Sequence, residues 1–288
     1  MIKITNLHKS FGKNKVLKGV DLLFDKPGIT AVLGPNGSGK TTLIKCLLGM
    51  VIPNDGEIYV DGKNVARQWA YRDQIDYLPQ IARFPENLTV KELLKMIKDL
   101  RPRKADDQRL IQLFELEPFL DKKLGNLSGG TRQKVNIVAA FMYDSPILVL
   151  DEPTVGLDPV AMIQLKELIW EEKAKGKTIL LTTHIMGFVE EMADDIVFLL
   201  EGKIHFNGSL KGLKKQYGQP TLERTIAEIL KQSKVVISEA VISEAVNSKV
   251  VISEAVISKA VNSEAVINEA VNSNQEKALI TNNCSTNH

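Results

Sequence analysis

The sequence predicts an α/β fold with a mainly parallel sheet, an antiparallel β section at its N-terminal end and an inserted helical section. Three observations carry this expectation. Residues 147–150, Thr178–Thr182 and residues 196–200 are short apolar runs without alternation, the pattern of strands buried on both faces. A helical stretch over 160–175 separates the first two, as a strand–helix–strand unit requires. Residues 1–33 instead alternate apolar and polar side chains, as in Ile2-Lys3-Ile4 and Val20-Asp21-Leu22. That alternation suits half-buried antiparallel strands, here joined by turns at Gly12 and Gly28.

The next segment carries the first chemistry. Gly34-Pro35-Asn36-Gly37-Ser38-Gly39-Lys40-Thr41-Thr42 lies between an apolar run at 29–33 and Leu43-Ile44-Lys45-Cys46-Leu47-Leu48, whose spacing reads as a helix. Strand, glycine-rich loop and helix form the setting of a phosphate-binding loop. The glycines let consecutive N–H groups turn inward without Cβ clashes, which makes a concave anion site. The helix start adds about half a unit of positive charge. Lys40 is placed to reach β- and γ-phosphates, and the Thr41 hydroxyl to ligate Mg2+. A chance glycine turn would leave the flanking strand and helix unexplained. The expected ligand is a nucleoside triphosphate with Mg2+.

Further on, Pro53-Asn54-Asp55-Gly56 predicts a turn, and residues 57–63 a strand that leaves through a second turn. Ile75-Asp76-Tyr77-Leu78-Pro79-Gln80 reads as a short strand stopped by proline. From Thr89 the period becomes helical, with Val90, Leu93, Leu94 and Ile97 on one face, and Thr89 with Glu92 forms a capping box. Leu110, Ile111, Leu113 and Phe114 mark a second helix, so residues 88–126 are expected to be mostly helical.

Two later motifs select among the chemistries a phosphate loop serves. One is Leu127-Ser128-Gly129-Gly130-Thr131-Arg132-Gln133. The other is Ile147-Leu148-Val149-Leu150-Asp151-Glu152-Pro153-Thr154, followed by Gly156-Leu157-Asp158-Pro159. A buried strand ending in Asp151 delivers a carboxylate to the sheet edge beside the phosphate loop, where Mg2+ needs a ligand. Glu152, one residue on, could polarise a water for in-line attack on a γ-phosphate. Two adjacent acids at a helix start would account for neither the apolar run nor the phosphate loop upstream.

Together these motifs resemble the ATP-binding subunit of an ABC transporter, over roughly residues 1–215. The resemblance implies a P-loop NTPase core that uses ATP and Mg2+, with the 88–126 stretch as its helical subdomain. It implies that Phe11, in Lys9-Ser10-Phe11-Gly12, stacks on adenine. Gln80 would sense the γ-phosphate and Mg2+ and link to the membrane subunit. Ser128, Gly129 and Gly130 would contact the ATP of a partner subunit, with Asp158 at the dimer interface. His184, in Thr182-Thr183-His184, would hold the γ-phosphate and the attacking water; a lone histidine is more often structural, but this one follows a buried strand downstream of Glu152. Two positions depart from the family pattern: Phe11 stands where tyrosine is commoner, and Thr131 replaces a frequent glutamine. Neither removes a charge from the phosphate site. The implied assembly is a homo- or heterodimer of ATP-binding subunits on a separate integral membrane subunit, peripheral on the inner face of the cell membrane. A soluble ABC ATPase acting in translation or DNA maintenance is the alternative; such chains usually carry two cassettes or a long coiled coil, and this one has one cassette and no heptad run. Residues 78–90 and the Leu-Ser-Gly-Gly-Thr signature are similar to the exporter-type branch, in particular to ATPases serving copper-site maturation of nitrous oxide reductase. The cargo is not readable.

Composition agrees with a globular ATPase. Of 288 residues, 44% are hydrophobic and 25% charged, and a net charge of +2 gives no electrostatic case for nucleic acid. No signal peptide or run of about 20 apolar residues is expected to place the chain in a membrane. Cys46 reads as a small core residue, and pairing with Cys284 is not expected. After a C-terminal extension over 216–235, residues 236–275 repeat every five, as Val-Ile-Ser-Glu-Ala, before a polar tail at 276–288. A five-residue period gives neither helix nor strand a continuous apolar side, so a fluctuating segment with some tendency to self-associate is expected.

Overall fold

A computed structural model of the chain describes residues 1–232. The five-residue repeat, the polar tail and Cys284 lie outside the described residues. The chain divides into a unit spanning Met1–Thr225 and a second that begins at Ile226, of which the helical residues 226–232 are described.

The first unit is built on two sheets. β1 (Ile2–Phe11) and β2 (Asn14–Phe24) form an antiparallel hairpin around Gly12, whose φ of 57° suits a tight turn. After β3 (Gly28–Leu33) and α1 (Lys40–Leu47), the strands β4 (Asp55–Val60) and β5 (Lys63–Asn64) extend that sheet in the order β2-β1-β4-β5. β3 does not join it. Gly28 therefore does not turn β2 back into an antiparallel partner; it opens a strand of the second sheet. Local alternation reports a buried face and says nothing of which sheet a strand enters. Likewise Asp55 and Gly56 lie in β4 rather than before it.

The second sheet has the order β10-β9-β3-β8-β7-β6. Its members are β6 (Ile75–Leu78), β7 (Ile147–Asp151), β8 (Thr178–Thr182), β9 (Asp195–Leu200) and β10 (Lys203–Ser209). The first four run parallel with β3, and β10 is antiparallel to β9 at one edge. β7 shows why these strands are apolar throughout. Ile147 and Val149 enter the core shared with α1 and the antiparallel sheet, while Leu148 and Leu150 enter the core on the other face.

That other face is covered by helices. Between β6 and β7 come α2 (Val90–Leu100), α3 (Asp107–Leu113), two short 3-10 turns and α4 (Gly129–Phe141), which form the inserted helical section and its return. The capping box at α2 is present: Thr89 N–H donates to Glu92 Oε2 at 2.8 Å, and Glu92 N–H to Thr89 Oγ1 at 3.2 Å. α5 (Pro159–Ala174) bridges β7 to β8, and α6 (Met186–Met192) and α7 (Leu210–Tyr217) follow. Neither β10 nor α7 is anticipated above. The half-buried alternation of β10 includes His205 and Gly208 and gives little local signal.

Candidate functional site

Each parallel strand ends on the same edge of the sheet, and the adjacent strands β3, β8, β7 and β6 there release the phosphate loop, His184, Asp151-Glu152 and Gln80. Carboxyl ends of strands in such sheets are where ligands collect. The site thus follows from strand order.

The phosphate loop is crowded from below and open above. A Cβ on Gly34 (φ 153°) would sit 2.0 Å from the Leu199 carbonyl oxygen, so only glycine lets the loop lie against β9. Gly39 caps α1 at φ 109°. Asn36 and Gly37 are exposed, whereas the buried Ser38 hydroxyl has no hydrogen-bond partner. Lys40 Nζ donates to the Gly34 and Pro35 carbonyls at 2.7 and 3.1 Å, folding back over its own loop. Burial pushes the Lys40 pKa down, against the opposing charges of Glu152 and Asp151. The charges of those two carboxylates are thus felt at the loop cation.

Two cavities meet at Thr41. One, of about 360 Å³, is lined by Phe11, Asn14 and Val16 with Asn36, Lys40 and Thr42 of the loop. Phe11 stands 52% exposed at its rim, with Lys9 Nζ 4.9 Å from its ring centroid. The other, of about 710 Å³, brings Thr41, Gln80 and Asp151 together. A hydroxyl, an amide oxygen and a carboxylate are the hard oxygen donors that suit Mg2+, and these residues could hold it. When bound, the ion would offset phosphate charge.

The acids are fixed by β8. Thr182 Oγ1 donates to Asp151 Oδ1 at 2.5 Å and accepts from Glu152 N–H at 3.1 Å, while Glu152 N–H also donates to the Thr182 carbonyl at 3.0 Å. Glu152 is held at φ 50°, a conformation a non-glycine residue adopts at a cost of about 1–3 kcal/mol. That turn aims the carboxylate out of the strand. Glu152 Oε2 lies 2.9 Å from His184 Nδ1; the glutamate is 11% exposed and the histidine 74%. A buried carboxylate held by a histidine that faces solvent can accept a proton from a water poised at a phosphate.

The remaining candidates lie elsewhere. Ser128 caps α4, its Oγ accepting from Thr131 N–H at 3.2 Å and lying 2.8 Å from Thr131 Oγ1. Ser128, Gly129 and Gly130 line neither cavity at the phosphate loop. A Cβ on Gly130 would meet the Gly156 carbonyl at 2.9 Å, so α4 packs closely on the loop after Glu152. Asp158 caps α5 by accepting from Ala161 N–H at 2.8 Å and pairs with Lys134 at 3.0 Å. The Asp-Pro pair at 158–159 is a helix-start signal that sequence reasoning could have used. Lys134 and Asn136 escaped it altogether, while Gln133 and Thr182 fall within its motifs without a role of their own.

Comparison with known proteins agrees with this geometry. The ABC transporter family pattern matches residues 17–155. The chain is 35% identical over 232 residues to the Nod factor export ATP-binding protein I of Rhizobium sp. (strain N33), covering 75% of this chain and 73% of that one. It is 31% identical over 259 residues to the L-cystine import ATP-binding protein TcyN of Bacillus subtilis (strain 168), covering 84% and 100%. Among solved structures, an ATP-binding subunit of an ABC transporter superposes with a TM-score of 0.75 at 33% identity, covering 80% of this chain and 99% of that one. A dimeric bacterial ABC transporter cassette, MJ0796, superposes at 0.67 with 26% identity, covering 73% and 99%. With its ATP-hydrolysing fold and its ATP and Mg2+ chemistry, this chain belongs to the family of ABC transporter ATP-binding proteins.

Proposed function

We propose that the chain powers transport as one of two ATP-binding subunits that close over ATP and dock on a separate membrane-spanning subunit. In this reading ATP rests on the loop 34–42, with adenine against Phe11 and the phosphates within reach of Lys40. Thr41, Asp151 and Gln80 supply the ligands for Mg2+. Ser128, Gly129 and Gly130, which line neither cavity at the chain's own loop, contact the ATP of the partner, and Asp158 faces the interface between the two. Glu152 takes a proton from water, and the water oxygen bonds to the γ-phosphorus as the bond to the β-phosphate oxygen breaks, leaving ADP and phosphate. His184 holds Glu152 and the γ-phosphate in line.

The 2.9 Å contact between Glu152 and His184, at the end of the strand that carries Asp151, is the observation that carries this reading. Among the described residues no helix is long and apolar enough to cross a membrane, so in this reading the translocation path belongs to another chain. Met50 and Ile81, 59% and 69% exposed, line the cavity that contains Gln80 and offer that subunit an apolar foothold beside the γ-phosphate sensor. The pair would sit on the inner face of the cell membrane. We favour export over import, because residues 78–90 and the Leu-Ser-Gly-Gly-Thr signature resemble the exporter-type branch; a service to copper-site maturation of nitrous oxide reductase rests on the same resemblance. Affinity purification of the tagged chain from detergent-solubilised cells tests the proposal. Near-equal recovery of a polytopic membrane protein is expected. Ribosomal or DNA-repair proteins without a membrane subunit would overturn it in favour of a soluble ATPase.

A further inference from the structure

Two buried amides of α4 join the segments that leave the paired strands β6 and β7 beyond the last rung of their ladder, Leu78 opposite Leu150. Asn136 is 1% exposed and Gln133 8%. Asn136 Nδ2 donates to the Pro79 carbonyl at 3.1 Å and to Gln133 Oε1 at 3.4 Å. Gln133 Nε2 in turn donates to the Pro153 carbonyl at 3.1 Å. The chain of donors runs unbroken from the residue before Gln80 to the residue after Glu152. Both ends are prolines, which have no N–H, so the carbonyl is the only backbone group by which a neighbour can fix them. A buried amide costs free energy unless paired, and a half-cut network costs more than an apolar one.

We infer that Asn136 and Gln133 are positioning residues that set the spacing between Gln80 and Glu152 and tie both to the helix that begins at Ser128. α4 carries the loop proposed to serve the partner's ATP, and Lys134 holds Asp158 from the same helix. Movement of Gln80 at one ATP is thereby passed to Glu152 of the same site and to the signature loop of the other. The inference rests on the roles proposed above for Gln80, Glu152 and Ser128. Asn136 borders the cavity of Thr41, Gln80 and Asp151, but neither amide lines the cavity at Phe11 and Lys40, so cutting the bridge spares nucleotide affinity and slows turnover.

The test is steady-state ATP hydrolysis by the full chain carrying Asn136→Leu, Gln133→Leu or both, beside direct binding of a fluorescent ATP analogue and thermal unfolding. Each single change lowers kcat about five- to ten-fold, with affinity held within about two-fold. The double variant is no slower than the slower single, because both changes cut one chain. Asn136→Ala removes the donor without adding bulk or charge; it gives the same reading where a leucine variant fails to fold. Unchanged kcat, losses that multiply in the double variant, or a loss carried by KM overturns the inference. Glu152→Gln measured in parallel separates the two claims. Normal turnover there overturns the role of Glu152, whereas normal turnover of Asn136→Leu beside an inactive Glu152→Gln overturns the bridge alone.

Discussion

Replacing Thr182 with valine isolates the link between the two acids. Thr182 is fully buried, and its hydroxyl donates to Asp151 at 2.5 Å while accepting from Glu152 N–H. Valine keeps the branched shape and the strand preference of threonine, so β8 persists. Glu152 N–H also keeps its bond to the Thr182 carbonyl. The loss therefore falls on Asp151. A hydrogen bond to a charged group is worth about 1.5–3 kcal/mol, and the added buried methyl returns about 0.8 kcal/mol. Stability should fall by about 1–2 kcal/mol, read as a lowered urea midpoint. Turnover should fall by about ten-fold or more, since Asp151 is no longer held at the loop. The concentration of Mg2+ needed for half-maximal turnover should rise, while ATP binding without Mg2+ stays as it was. A folded Thr182→Val protein with normal turnover and normal Mg2+ demand would refute the reasoning.

Three other outcomes follow from the geometry. Gly34→Ala places a Cβ 2.0 Å from a backbone oxygen of β9, and should destabilise the loop by more than about 3 kcal/mol and abolish ATP binding in a filter assay. Phe11→Ala should weaken ATP binding by about ten-fold with kcat nearly unchanged, because a base stacked on an aromatic ring is worth about 1–3 kcal/mol. Glu190 is held below the usual carboxylate range by Lys214 and by the Leu222 N–H at 2.7 Å. A lowered folded pKa gives stability that is present above the ordinary glutamate pKa and lost as pH falls through the folded value. Glu190→Gln should then cost up to about 1 kcal/mol in unfolding at pH 7, with the difference shrinking toward pH 3.

Much of this was legible in the sequence wherever a local pattern has one physical meaning. The loop 34–42 needs its glycines, β7 needs apolar residues on both faces, and Thr89 with Glu92 caps a helix in any context. Sheet membership was not legible, because residues 29–33 look alike whether paired with β2 or with β8. Nor was the bond from Thr182 to Asp151, which depends on β7 and β8 lying in register. The positive φ of Glu152 leaves no mark in residue type, since glycine would be the expected choice there. Sequence reasoning places no helix over 129–141, so nothing marks Asn136 or joins it to Gln133; only the packing of α4 against Pro79 and Pro153 makes the two amides internal.

The central claim is that Glu152 takes the proton from the attacking water. The most direct measurement is ATP turnover by Glu152→Gln, with ATP-dependent association followed by gel filtration. General-base catalysis contributes about 10²–10⁴ in rate, so turnover should fall by that factor while ATP is still bound and the paired form persists in ATP. Turnover near that of the unaltered chain, with pairing that decays as fast, would contradict the account.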